Sequence, residues 1–363
     1  MWHTLMIVLV ALTAAMFLYL AIQFHGFSVF RHLSEKSRLL SWVASLLPAA
    51  LPALFALINT ITMEIVVLHT ALAFALLSLV GLLVRKVLKR SFSRDLQRIL
   101  ALALAVVYLG TGWFLAHHVF RTSYTFETEK ALDTPLRIVE VADAHLGITL
   151  DSADFAREME KVQKENPDLV VIVGDFVDDD SDKKDMLEAC EAIGRLETTY
   201  GVYFVFGNHD NGYYRYRNFS SAELRAALSE NNVIILEDEN VLIDGRFYLI
   251  GRRDRSMPGR ASAQSLTEGL DLEKYMIMLD HQPNDYANET ASGADLVLSG
   301  HTHGGHIFPA GQIGLLMGSN DRRYGTETRE TTTFVVTSGI SGWGIPFKTG
   351  TFSEYVVIDV KMK

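Results

Sequence analysis

The stretch SGHTHGGH, residues 299–306, sets His301, His303 and His306 among glycines and small polar residues. Histidine is a poor turn former, and several of them on a glycine turn suit ligation of a metal by imidazole. Such a site needs further donors, and the chain supplies them in order. ADAHLG carries Asp143 and His145, and GDFVDDD carries Asp175 and Asp178. GNHD carries Asn208, His209 and Asp210, and LDHQP carries His281. Carboxylate, imidazole and amide oxygen form a mixed hard and borderline ligand set suited to Mn, Fe or Zn. One carboxylate can bridge two cations about 3.5–4 Å apart, as two-metal hydrolysis requires. A hydroxide bridging them would then attack phosphorus in line. Alternate side chains of an extended segment share a side, so Asp143 with His145, and His301 with His303, can each face one locus.

Every one of these clusters follows an apolar run. Strand patterns cover Leu136–Ala142, Leu169–Val173, Val202–Phe206, Val233–Leu236, Phe247–Ile250, Tyr275–Leu279, Leu296–Leu298, Thr333–Thr337 and Tyr355–Val360. Helical spacing covers Ala153–Glu165 and Lys184–Leu196, and Ser220 or Ser221 caps a further helix ending near Ser229. The order begins βαβαβ and ends rich in strands. Open α/β sheets build their sites just beyond the carboxyl ends of their strands, where these polar clusters fall.

The first third has a different character. Four apolar stretches, Leu5–Phe24, Leu40–Thr60, Ile65–Val84 and Ile99–Val119, are each long enough to cross about 30 Å of hydrocarbon and carry almost no charge. A soluble bundle would show polar faces, and a signal peptide would explain the first stretch alone. Pro48 and Pro52 mark the second as kinked or partly re-entrant. Arg31, Lys36 and Arg38 follow the first stretch. Arg85, Lys86, Lys89, Arg90, Arg94 and Arg98 lie between the third and fourth. The positive-inside rule puts both connections in the cytoplasm and everything after residue 120 outside. The expected organisation is a transmembrane region over 1–119, a polar linker over 120–134 and a catalytic domain over 135–363.

The ordered motifs D-x-H, G-D-x-x-D, G-N-H-D, H and G-H-x-H resemble those of the calcineurin-like metallophosphoesterases, over about residues 136–360. The branch with GHTHGG and membrane-anchored bacterial members is the nearest in pattern. The resemblance implies an α/β fold, a four-layer α-β-β-α sandwich, here preceded by an all-α transmembrane bundle of about four helices. It implies two divalent metal ions. Asp143, His145, Asp175 and His303 would hold one; Asp175, Asn208, His281 and His301 would hold the other, with Asp175 bridging. His209 would steady the phosphoryl oxygens or protonate the leaving group, oriented by Asp210, with Asp178 behind the ligands.

Taken singly, Asp143 and Asn208 are ordinary turn residues, and His281 an ordinary loop residue. Jointly, five motifs in order outweigh those readings. His306 is read as a residue of the rim or one behind the ligands, not as a ligand. In GRRDRSMPGR, residues 251–260, Arg252, Arg253, Arg255 and Arg260 form a solvated loop or recognise a second phosphate. In GWGIPFKTG, Trp343, Ile345, Pro346 and Phe347 touch acyl chains or pack the sandwich edge. The net charge of −10 argues against a nucleic-acid partner. A single cysteine, Cys190, excludes an intrachain disulfide and a cysteine zinc site. The expected function is hydrolysis of a phosphate ester or pyrophosphate bond in a lipid-linked or cell-envelope substrate. A nuclease or nucleotide phosphodiesterase, and a non-catalytic membrane receptor, are the competing readings.

Overall fold

Long apolar runs open the chain and short β-branched runs follow. The computed structural model, which describes residues 2–90, 93–212 and 217–363, sorts them into two units, Met1–Thr111 and Gly112–Lys363.

The first unit is helical: α1 (Trp2–His25), α2 (Ser28–Lys36), α3 (Arg38–Ala50), α4 (Thr60–Leu88) and the start of α5 (Arg94–His117). Asn59 begins α4 by accepting a bond from the Thr62 amide at 2.7 Å, the usual work of an N-cap. α3 contains Pro48 and tightens into a 3-10 turn over Leu51–Leu57, with Pro52 in its first turn. Proline has no N–H to continue the α ladder, which accounts for the irregularity expected there. Arg38–Leu57, Thr60–Leu88 and Arg94–His117 are long and apolar enough to cross a membrane. Val10–His25 and Ser28–Lys36, bent by 78°, make a fourth if taken as one span. A small core of Leu20, Phe24, Val67, Phe74 and Ala101 joins α1, α4 and α5. Leu47, Leu79, Leu82 and Val106 stay exposed, an apolar surface larger than water tolerates.

The second unit holds two six-stranded sheets. The first runs β1 (Val119–Thr128), β12 (Ser353–Met362), β2 (Leu136–Val141), β3 (Leu169–Val173), β4 (Val202–Val205), β5 (Val233–Ile235). The second runs β10 (Gly325–Arg329), β11 (Thr332–Val336), β9 (Leu296–Ser299), β8 (Tyr275–Leu279), β7 (Phe247–Gly251), β6 (Glu239–Ile243). Alternation along the strands divides their side chains between two faces. Ile138, Val171, Val205 and Val356 meet Leu249, Ile277, Leu298 and Val335 between the sheets. Val139, Ile172 and Phe204 point the other way, onto α6 (Ser152–Lys164), α7 (Lys183–Gly194) and α8 (Ser221–Glu230) through Phe155, Met186 and Leu224. Behind the second sheet, Ile250, Met278 and Phe334 receive Leu266 of α9 (Ala263–Thr267) and Tyr286 of α10 (Tyr286–Ala291). The result is the expected α-β-β-α layering. Each fully buried large apolar side chain contributes roughly 1.5–3 kcal/mol.

The linker expected over 120–134 is corrected at its start. Val119–Thr128 is a strand, parallel to β12 from Val119 opposite Ser353 to Thr128 opposite Met362. Phe120, Thr122, Tyr124 and Phe126 alternate with polar neighbours, a period-2 pattern masked by its polar content. α8 begins as expected, with a reciprocal capping box between Ser220 and Glu223.

Candidate metal centre

Five strands deliver the predicted residues to one edge. Asp143 follows β2, Asp175 follows β3, Asn208 follows β4, His281 follows β8 and His301 follows β9, each within three residues of the strand end. Both sheets therefore contribute. Convergence is not achieved by pleat alternation alone. Asp143 (φ 56°), His145 (φ 37°), Asp175 (φ 50°), His301 (φ 68°) and His303 (φ 47°) all adopt left-handed backbone. Such conformations cost on the order of 1–3 kcal/mol each and cluster where a site imposes them. Backbone bonds hold them: Asp143 N–H to the Gly174 carbonyl at 3.0 Å and His145 N–H to the Asp175 carbonyl at 3.1 Å. The His301 amide donates to Asp143 Oδ1 at 2.9 Å, and the His209 amide to Asp175 Oδ1 at 2.8 Å. A side chain at Gly207 would strike the Asp175 carboxylate, and one at Gly339 would strike Asp143.

Two clusters lie around Asp175, and among the described residues a third joins His145, Asp178 and His209. One ligand atom each from Asp143, His145 and His303 lie within 4.8 Å of one another, as do those of Asp175, His281 and His301. Asp175 joins them: its Oδ2 is 3.0 Å from His281 Nε2 and 3.7 Å from His145 Nε2. Hydrogen bonds fix the tautomers, because a carboxylate or carbonyl partner must accept. His145 Nδ1 donates to Asp178 Oδ2 at 3.1 Å, and His281 Nδ1 to the Val173 carbonyl at 2.8 Å. His303 Nδ1 donates to the Ser341 carbonyl at 3.3 Å. Their Nε2 lone pairs are left facing the clusters. His145 Nε2 and His303 Nε2 then stand 3.1 Å apart, two lone pairs opposed among buried side chains. Asp143 Oδ2, His281 Nε2 and His301 Nδ1 are buried without a hydrogen-bond partner among the described residues. Opposed lone pairs and orphaned acceptors are what a cation would relieve, so the donor set fits divalent metal.

Burial lowers His281, but Asp175 and Asp143 outweigh it and lift the ring well above the usual imidazole range. Burial raises Asp175, but the charges of His281 and His145 outweigh it and hold the carboxyl well below the usual carboxylate range. A bound cation would take the place of the proton between His281 and Asp175. Burial and the neighbouring His281 lower His301 to about 4. Burial, then His145, drive His303 well down, which leaves it neutral as a ligand must be.

Around the ligands, two expectations change and a third is divided between its alternatives. Asp178, rather than Asp210, orients His209: His209 Nδ1 donates to Asp178 Oδ1 at 2.9 Å. The Asp210 carboxylate instead accepts the amides of Gly207, Phe176 and Val177 at 2.8, 2.9 and 3.1 Å. A buried carboxylate capping three amides shapes the loops and is not free to steer a ring. Arg252 does not face a second phosphate. It is buried against Asp280 at 2.7 Å, Asp285 at 2.9 Å and Glu289 at 3.2 Å, and Arg260 also pairs with Asp280. In GWGIPFKTG, Ile345 and Phe347 are buried, while Trp343 is 46% exposed with its ring 5.7 Å from that of His209.

Sequence reasoning missed Asp254 and Gln282. Buried Asp254 accepts from Gln282 Nε2 at 2.9 Å, and the same nitrogen lies 3.5 Å from Asn208 Oδ1. Gln282 follows His281 directly, and its adjacency was the one available signal. Arg217 also escaped notice; it holds the GNHD turn by donating to the His209 and Asp210 carbonyls at 3.1 and 2.6 Å.

A layered sandwich with paired imidazole–carboxylate clusters at the strand ends is an arrangement suited to metal-dependent phosphoester hydrolysis. Residues 136–305 match the family model described as calcineurin-like phosphoesterase. An uncharacterized metallophosphoesterase of Aquifex aeolicus is 31% identical over 265 residues, 71% of this chain and 98% of its own length. The chain belongs to the calcineurin-like metallophosphoesterase family. A Campylobacter jejuni uncharacterized metallophosphoesterase is 34% identical over 242 residues, covering 64% of this chain and 61% of the relative. A Danio rerio transmembrane protein with metallophosphoesterase domain is 31% identical over 239 residues, 62% of this chain and 53% of the relative. The chain thus spans less than two thirds of the length of these last two relatives.

Proposed function

We propose that this protein hydrolyses a phosphate ester or pyrophosphate bond of a lipid-linked or cell-envelope compound. Asp143, His145, Asp175 and His303 would hold one divalent cation, and Asp175, Asn208, His281 and His301 the other. The observation that carries the reading is Asp175, whose carboxylate stands between the two imidazole clusters. When bound, Mn, Fe or Zn ions supply Lewis acidity to the phosphoryl oxygens and to the attacking water. The protein's own groups do the rest. With Nδ1–H donated to Asp178, His209 is the group placed to meet a phosphoryl or leaving-group oxygen through Nε2. The Trp343 ring stands beside it, 5.7 Å between centroids.

A lipid-linked substrate is supported by an apolar patch next to the histidine loop. α11 (Ala310–Leu316) follows it, and Phe308, Ile313, Leu316 and Met317 are 54%, 50%, 88% and 77% exposed. Screening the metal-loaded protein against phospholipids, nucleotide-sugars and polyprenyl phosphates, beside a soluble aryl phosphate, tests the reading. The double variant Leu316→Glu, Met317→Glu should slow turnover of a micellar lipid-linked substrate by about tenfold or more, because two apolar contacts are lost. The soluble ester should be unaffected. Equal rates on both substrates would remove the lipid assignment.

The reading includes a multi-pass membrane protein with its catalytic domain outside the cytoplasm. It is supported by the basic connections around Arg31–Arg38 and Arg85–Arg98, which the positive-inside rule assigns to the cytoplasm. Alkaline phosphatase fused after Thr122 should be active, and fused after Arg90 inactive. The reverse pattern would exclude envelope substrates facing outward.

A further inference from the structure

A cavity of about 360 Å³ lies within the helical unit, lined by Gln23 of α1, Ser78 and Arg85 of α4, and Arg94, Gln97 and Arg98 of α5. Three guanidinium groups share one concavity among helices otherwise built from Leu, Ala and Val. Arg85 and Arg94 reach the cavity from exposed positions and Arg98 is 14% exposed. Like charges sharing one concavity repel one another, and an anion that joins them relieves this. Arg98 shows the deficit most clearly. Its Nε and Nη1 are buried without a hydrogen-bond partner among the described residues. Asp95 approaches it only to 3.5 Å, with both carboxylate oxygens accepting the Ser28 amide at 3.1–3.2 Å and one of them the Ser28 hydroxyl as well. Gly81 lines the cavity against the Gln97 amide, and Gly26 lies against the Arg98 guanidinium.

We propose that this cavity binds the phosphate of an anionic phospholipid headgroup. Guanidinium forks match phosphate oxygens in two-point geometry, and basic pockets between membrane helices suit such headgroups. The volume is in the range of small-ligand sites. A lipid is favoured over a free anion by the rest of the wall. Leu82 lines the cavity and continues a helical stripe with Leu79 and Leu83, all 51–53% exposed, along which an acyl chain would lie. The site shares no residue with the metal centre and does not depend on the hydrolytic reading.

The full chain is reconstituted in nanodiscs of phosphatidylcholine doped with phosphatidylglycerol, extracted in detergent, and its retained lipid counted by mass spectrometry. Phosphatidylglycerol should be enriched about tenfold or more over phosphatidylcholine, the scale expected for charge-assisted bonds. Arg85→Gln with Arg98→Gln should abolish the enrichment. Lys86→Gln with Lys89→Gln, an equal loss of charge at the same end but outside the cavity, should preserve it. Millimolar inorganic phosphate should not displace the lipid. An unchanged melting temperature and unchanged elution on size exclusion in both double variants report that they fold. Equal retention of the two lipids by the unaltered protein overturns the proposal without any variant. Displacement by inorganic phosphate, or an equal effect of the lysine variant, overturns it too.

Discussion

Asp175→Asn should leave fewer than two metal ions per chain and no measurable turnover of an aryl phosphate. The substitution is nearly isosteric, and the amide oxygen can still accept the His209 N–H that Oδ1 accepts at 2.8 Å. What disappears is the negative charge between the two imidazole clusters. Two dications about 4 Å apart repel by on the order of 20 kcal/mol at an effective dielectric constant of 20. A neutral bridge cannot offset that, so one ion should be lost even though every other ligand remains. Metal analysis beside kcat decides the matter, with the melting temperature reporting the fold. Two ions and an undiminished kcat would sink the shared-ligand assignment.

His209→Asn, or His209→Ala, should behave in the opposite way, keeping both metals while kcat falls about 10²–10⁴-fold, the usual scale for a general acid. Asp178 loses one of its two imidazole partners but keeps the other, so His145 stays oriented at 3.1 Å. Burial disfavours the charged ring. The hydrogen bond to Asp178 and the charges of Asp175 and Asp178 outweigh it and lift His209 to about 9 before any cation acts. A proton is therefore available at neutral pH, and nearby cations make it easier to give up. If the proton goes to the leaving oxygen, the loss should shrink for esters with acidic leaving groups. Metal loss in the variant would mean that His209 is a ligand.

Interior features of the fold were legible because their causes are local. β3 and β8 are continuous apolar runs, as strands covered on both faces must be, β9 is one up to Ser299, and β2 is broken only by Arg137 and Glu140; the donors stand directly after them. The strands that escaped, β1, β6 and β10, all sit at or form a sheet edge. Edge strands keep many exposed polar positions, as in GTETR of β10 and ENVLI of β6, and their apolar signal is diluted accordingly. The same distinction runs through the site. Motif spacing pointed to the ligands, but not to which carboxylate of Asp178 and Asp210 reaches the His209 ring. That choice depends on how the loops after β3 and β4 fold against each other. The arginines of residues 251–260 read as a phosphate clamp or a solvated loop because their acidic partners, Asp280, Asp285 and Glu289, lie well downstream. Asp254 gave no signal, since one aspartate among arginines is unremarkable until Gln282 is brought beside it.

The pairing of β1 with β12 bears on how the domain is made. Thr122 and Glu354 share a side-chain hydrogen bond across a separation of 232 residues. β12 also separates β1 from β2, so β1 has no neighbour until β12 has been synthesised. At about 5–20 residues per second, β1 waits roughly 12–45 s on the ribosome with its hydrogen-bonding edge unmet. Long-range pairing of this kind is slow, and an unpaired strand with Phe120, Tyr124 and Phe126 is open to strangers in the interval. The nascent chain is most vulnerable to mispairing then, and holding chaperones should matter most before β12 emerges.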